Sequence, residues 1–372
     1  MSRLIFLFQD YKNFQKKDRF CFDYLSKYHY VEYLAVDVFI KGFYTGKFTL
    51  RGFYKNIKQI KILKKKLIDE KFTHLFFCLP YAKFKSTILV FILRSLLPKN
   101  ISVFYLNNSG FPDPNFSFSF IRLKWAIYSK INSLILYLAP QRNIFLIINP
   151  PLISKQINNK NIYLPLPHHD YDLYKKTIEN KTNSFSEKNI VFIDEMFTDH
   201  PDIKLFPLNG IENQEDAYYS EVNKFLDYIS KKFDKKVIIA RHPKHPYDLA
   251  KKRYKFKVSK KKTIEEIAKA FCVISHTSNS INMAIIMYKP IILLQTSAHR
   301  FSRLHIETLK ELSKELSLPI RKTYTLNKIN ILRKDILKIK RSKYNNYIKN
   351  YITNSLNSPT TCNLINQYLQ SY

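Results

Sequence analysis

Three polar strings in the second half of this 372-residue chain each follow a short apolar run. Asp194-Glu195, with Asp199 and His200 beyond, follows Ile190-Val-Phe-Ile193. Arg241-His242-Pro243-Lys244-His245-Pro246 follows Lys236-Val-Ile-Ile-Ala240, and Ser275-His276-Thr277-Ser278-Asn279-Ser280 follows Phe271-Cys-Val-Ile274. Hydroxyl and amide side chains at a helix start, with main-chain N–H groups and the positive dipole end, bind an anion without any glycine. A cap for the helix predicted over 279–287 needs one such residue. Six in a row point to a phosphate. Arg241 adds a cation, His242 a titratable donor, and Pro243 fixes the backbone behind the imidazole. Proton transfer also needs a carboxylate: Asp194 comes first, then Glu195, Asp199, Asp113 and Asp10. His245 reads as structural.

The elements that hold these strings alternate regularly. In the first half, apolar runs at 3–8, 73–79, 101–106 and 143–148 read as strands. Helical patterns lie at 20–33, 82–97 and 121–138, the last two stopped by Pro98 and Pro140. In the second half, strands at 190–193, 236–240, 271–274 and 291–294 alternate with helices at 218–233, 263–270, 279–287, 307–316 and 329–352. Thr263 and Glu266 have the spacing of a capping box. Strand–helix–strand order implies parallel sheets with crossover helices, whose ligands bind at the carboxyl ends of the strands. The expected architecture is two Rossmann-like, doubly wound α/β domains facing a central cleft. Residues 1–150 form the first domain, 151–189 a proline-punctuated linker, 190–325 the second domain, and 326–372 basic carboxyl-terminal helices.

Composition closes other routes. Five glycines cannot spell a dinucleotide fingerprint or a P-loop. Four scattered cysteines, with no C-x-x-C, argue against a zinc-thiolate site or a disulfide framework and for a reducing cytoplasm. No apolar run approaches the ~20 residues of a membrane span. The net charge of +33 comes mostly from lysine; Lys, Ile, Asn, Phe and Tyr are inflated together, as AT-rich coding produces. A functional share of that charge suits an anionic membrane face. Nucleic acid is not expected, because no zinc-finger or RNP-like segment accompanies the charge.

The order strand–His242-Pro243, then strand–Thr277-Ser278 with Ser275 and Ser280 nearby, then helix–Lys289-Pro290–strand, resembles the carboxyl-terminal half of bacterial GT-B sialyltransferases. These are the lipooligosaccharide and capsule types that share an HP motif and a Ser/Thr motif. The resemblance covers about residues 190–300. It implies a GT-B fold, with 1–150 as the acceptor-side domain and 190–325 as the nucleotide-sugar domain, and inverting, metal-independent transfer of a nonulosonic acid from a CMP-sugar donor. The acceptor would be a cell-surface glycan or glycolipid. No cofactor is implied beyond the donor. Nucleotide contacts would come from Arg241, Pro243, Ser275, His276, Thr277, Ser278 and Ser280, with His242, Asp194 and Glu195 catalytic. The family's acidic pair is followed by glycine; here Met196 stands there.

One leaving phosphate gains charge as the glycosidic bond breaks, and preorganised donors aimed at it lower the barrier. It carries less charge than a diphosphate, so no metal is demanded. The one D-x-D string, Asp170-Tyr171-Asp172 beside His168 and His169, falls in the linker. The basic stretch 321–349, interleaved with Ile, Leu and Tyr, would lie against anionic lipid at the cytoplasmic face of the inner membrane. The alternatives are a GT-B transferase using CMP-Kdo or a nucleoside diphosphate sugar, and a non-catalytic module for polyanions.

Overall fold

The computed structural model describes residues 2–8, 21–35, 61–62, 65, 68–78, 101–106, 144–148, 162–179, 188–199, 211–328 and 339–371. The chain divides into two compact units. The first ends at His169, the second spans Asp170–Leu356, and Asn357–Tyr372 belongs again to the first.

The first unit holds a parallel sheet of β1 (Arg3–Phe8), β2 (Tyr30–Ala35), β3 (His74–Cys78), β4 (Ser102–Leu106), β5 (Ile144–Ile148) and β6 (Ile162–Pro165), in the order β2-β1-β3-β4-β5-β6. The helix expected over 20–33 shrinks to α1 (Phe22–Leu25). Tyr30–Ala35 is extended instead, because its aromatic and branched residues pair with β1 in the register Arg3↔Tyr30. β6 lies inside the expected linker; Pro165 is tolerated there because β6 is an edge strand, bonded only to β5. The helices read at 82–97 and 121–138 lie outside the described residues.

The second unit carries β7 (Asn189–Ile193), β8 (Val237–Ala240), β9 (Lys257–Val258), β10 (Ala270–Ser275), β11 (Ile291–Gln295) and β12 (Ile320–Lys322). All pairs are parallel, in the order β12-β11-β10-β7-β8-β9. Counted within the unit this is 6-5-4-1-2-3, the Rossmann order, with its topological switch between β7 and β10. Its helices are α2 (His169–Tyr174, which begins at the last residue of the first unit), α3 (Glu215–Phe233), α4 (Tyr247–Arg253), α5 (Thr263–Ala268), α6 (Ile281–Ile286), α7 (Arg303–Leu316) and α8 (Arg341–Tyr347).

The strands are continuous apolar runs because both sheet faces are covered. Ile190, Phe192, Cys272, Ile274 and Leu294 pack against Val222, Phe225 and Ile229 of α3. Val191, Ile193, Val273 and Leu293 pack on the opposite face with Ile264 of α5, Ile281 of α6, Leu309 of α7 and Tyr344 of α8. Each fully buried side chain of this size contributes about 2 kcal/mol. The predicted capping box fails at α5: the N-cap is Lys262, and Glu266 instead accepts the Ser259 hydroxyl at 2.6 Å.

The carboxyl-terminal residues do not form a separate module. Tyr344, Tyr347, Ile348 and Ile352 are buried in the second unit's core, so the apolar face expected to meet lipid is already used. The final helix, α9 (Thr361–Ser371), packs Ile365 and Leu369 on Leu4, Phe6 and Leu25 of the first unit. Its Asn366 accepts from His29 Nε2 at 2.8 Å, a tautomer fixed by the Ser2 N–H bond to Nδ1. This return pairs Cys21 with Cys362 as a disulfide, against the expectation from spacing. Separation along the chain says nothing about a helix that folds back over 341 residues. No helix among the described residues is long and apolar enough to cross a membrane.

Candidate active site

The carboxyl ends of β7 and β10 lie side by side at the switch point, in the register Ile274↔Phe192. Asp194 and Glu195 leave β7 there, and each holds one of the two neighbouring loops. Asp194 is 1% exposed. Its Oδ2 accepts His245 Nδ1 at 2.6 Å and the His242 N–H at 3.2 Å. Its Oδ1 accepts the Met196 N–H at 2.9 Å and the Tyr254 hydroxyl at 2.8 Å. Burial pushes this carboxyl up, but the bond and charge of His245, with Met196 and Tyr254, outweigh it and hold Asp194 below the usual carboxylate range. A buried carboxylate with four donors positions loops. It is poorly placed to take a proton from a substrate.

Glu195 faces the other loop. It accepts the Thr277 main-chain N–H on Oε1 and the Thr277 hydroxyl on Oε2 at 3.0 Å, and the Ser278 main chain adds a further bond. Burial, with the negative charge of Asp194 adding to it, still pushes the Glu195 carboxyl up to about 7 against those donors. Two adjacent carboxyls are thus driven in opposite directions, a pattern that separates proton-exchanging from fixed roles.

In the HP loop, His242 is half-buried. Its Nδ1 accepts the Lys244 N–H at 3.2 Å, so the neutral ring carries its proton on Nε2. Pro243 is exposed. Arg241, expected to meet phosphate, turns onto its own loop: one guanidinium nitrogen donates to the carbonyls of His242 at 3.2 Å and of His245. It braces the turn, because three loop carbonyls converge within its reach.

In the Ser/Thr loop, His276 is fully buried and is a core residue, not a phosphate contact. Nδ1 donates to the Leu294 carbonyl, so Nε2 accepts the Tyr218 hydroxyl at 3.1 Å. Burial pushes the ring down to about 4, and it stays neutral. Ser275 is also buried, and its hydroxyl has no partner among the described residues. Thr277 and Ser278 are half-buried. Ser280 stands at the N-cap of α6 without a side-chain cap bond, and Ser278 Oγ accepts its N–H at 3.3 Å. The donors of this loop therefore converge on a carboxylate from β7.

Met196 stands where the sialyltransferase pattern has glycine, and its φ of 51° is left-handed, the region glycine enters freely. Asp199 accepts the Tyr219 hydroxyl at 3.0 Å; Asp10, Asp113 and His200 lie outside the described residues. Asp170 and Asp172 are buried on α2, and no group of three or more metal-ligating side chains gathers among the described residues.

Sequence reading missed Tyr254, Tyr218 and Glu221. Glu221 on α3 accepts the Ser297 N–H at 2.9 Å and the hydroxyls of Ser297 and Thr323, joining the ends of β11 and β12 to that helix. One signal was available for His276: Cys272 and Ile274 face α3, and period two carries His276 to the same side.

No protein-family model and no curated protein matches the chain. Solved structures match over its whole length. The S. aureus MnaA–UDP co-structure is 12% identical over 100% of this chain and 97% of its own, with a TM-score of 0.51. The calicheamicin glycosyltransferase CalG4 is 11% identical over 99% and 98%, with a TM-score of 0.51. The wall teichoic acid polymerase TagF is 10% identical over 99% and 89%, again with a TM-score of 0.51. At such identities the likeness establishes the fold, and that fold is GT-B, with two Rossmann-like units.

Proposed function

We propose that this chain is an inverting, metal-independent GT-B glycosyltransferase that moves a nonulosonic acid from a CMP donor onto a cell-surface glycan. The observation that carries the reading is the convergence of the Thr277 N–H, the Thr277 hydroxyl and the Ser278 main chain on one carboxyl at the switch point. Donors that gather an anion from their own chain are built to hold one from a ligand. In this reading the donor's phosphate takes the place of the Glu195 carboxylate. Glu195 picks up a proton, which its raised pKa makes easy, and its neutral carboxyl donates to the phosphate.

His242 approaches from the neighbouring loop with Nε2–H and stabilises charge as it develops on the leaving oxygen. The acceptor oxygen bonds to the anomeric carbon while the bond from that carbon to the phosphate oxygen breaks, its electron pair leaving on CMP. A phosphate beside Glu195 keeps that group protonated, so the acceptor's proton goes to a base other than Glu195. Asp194 keeps the HP loop in register. Arg241 is committed to loop carbonyls, which suits one phosphate better than two and argues against a nucleoside diphosphate donor. The test is turnover of a panel of CMP- and UDP-sugars by the purified protein: hydrolysis or transfer confined to CMP-nonulosonates supports the reading, and turnover of UDP-sugars alone removes it.

A further inference from the structure

The outer edge of the second unit carries a row of ammonium groups that the donor chemistry does not use. Lys251 and Lys252 lie in α4, Lys255 and Lys257 lead into and begin β9, and Lys260, Lys261 and Lys262 run up to α5; all seven are exposed. No Asp or Glu occurs between residues 249 and 264. Acids bordering the run are committed elsewhere: Glu266 to the Ser259 hydroxyl, and Glu215 and Asp216 to Arg253. Asp248 and Glu265 flank it. Among the described residues no ion pair involves any of the seven lysines.

β9 is the last strand of its sheet. A lysine or two on an edge strand prevents pairing with another chain. Seven exceed that need, and their mutual repulsion is a standing cost that an anionic surface removes. Phe256 and Val258 pack into the core, so β9 and its approach turn Lys255 and Lys257 outward. Tyr254 is buried, and Tyr247 lies 4.9 Å beneath Lys260 Nζ. The edge therefore offers no open ring to stack a nucleic-acid base and no large exposed apolar side chain to anchor in acyl chains.

We infer that this lysine edge docks the protein on an anionic phospholipid bilayer, electrostatically and reversibly. The inference does not depend on the identity of the sugar donor. Each lysine near such a surface is worth roughly fivefold in binding.

The test is co-sedimentation of the full chain with vesicles of phosphatidylcholine, with and without one part in four of phosphatidylglycerol. Binding is expected only to the anionic vesicles, and it falls steeply as ionic strength rises from about 0.1 M to about 1 M. Replacing Lys255, Lys257, Lys260 and Lys261 together by Ala lowers binding at least a hundredfold with an unchanged melting temperature. The same four changed to Arg retain binding, as does a control with Lys231, Lys232, Lys310 and Lys314 changed to Ala. Equal binding to neutral vesicles, wild-type binding by the first variant, or tighter capture of an oligonucleotide at matched salt overturns the inference.

Discussion

Glu195 accepts two hydrogen bonds from Thr277, one from the main chain and one from the hydroxyl, across 82 residues of sequence. Its neighbour Asp194 holds the HP loop in the same way. Two consecutive residues at the end of β7 thus fix both loops of the candidate site, and they do so in opposite protonation regimes.

If phosphate replaces the Glu195 carboxylate, CMP binding takes up a proton. Above pH of about 7, where Glu195 ionises, CMP affinity falls up to about tenfold per pH unit in the wild type. Glu195→Gln flattens that slope. Calorimetric titration across this range reads it directly; parallel slopes in the two proteins would separate Glu195 from the phosphate.

Glu195 also leaves a mark on stability. Its folded pKa lies above the usual 4.5, so from 4.5 to about 7 the native state holds a proton that the unfolded chain has lost. Stability drops as pH rises through that window. Glu195→Gln removes this contribution, and urea midpoints at several pH values check it.

Asp194→Asn leaves a buried network short of its charge and destabilises the second unit by about 3 kcal/mol or more. The native carboxyl is depressed, so its contribution is present above the ordinary carboxylate range and disappears as pH falls through the folded value. A variant as stable as wild type in urea contradicts the positioning role.

His276→Phe orphans the Tyr218 hydroxyl and the Leu294 carbonyl, costing about 1–3 kcal/mol for each unpaired group. With its pKa lowered to about 4, His276 contributes stability that is lost as pH drops from 6.5 towards 4. CMP affinity of the folded variant stays near wild type. A selective loss of CMP binding would return His276 to the phosphate site.

Much of the second unit is legible in sequence because β7, β8, β10 and β11 are unbroken apolar runs. β6, β9 and β12 escape notice: at four, two and three residues, these outer strands are too short for any period to show. The loops that carry Asp194, Glu195, His242 and Thr277 follow from strand ends alone. Their partnerships do not. Whether Arg241 reaches a ligand or its own carbonyls depends on the turn's shape, and His245 and Tyr254 meet Asp194 only through tertiary packing. Spacing likewise reveals nothing of Cys21 and Cys362, whose meeting depends on where α9 returns.

The most direct measurement is the melting temperature with CMP, in chelator, for the wild type, His242→Ala and Thr277→Val. CMP raises it for the wild type and UDP does so less. Both variants fold but lose most of the CMP shift, and His242→Ala turns over at least a hundredfold more slowly. Absence of a CMP shift in the wild type, or a full shift in both variants, contradicts a phosphate seat between these two loops.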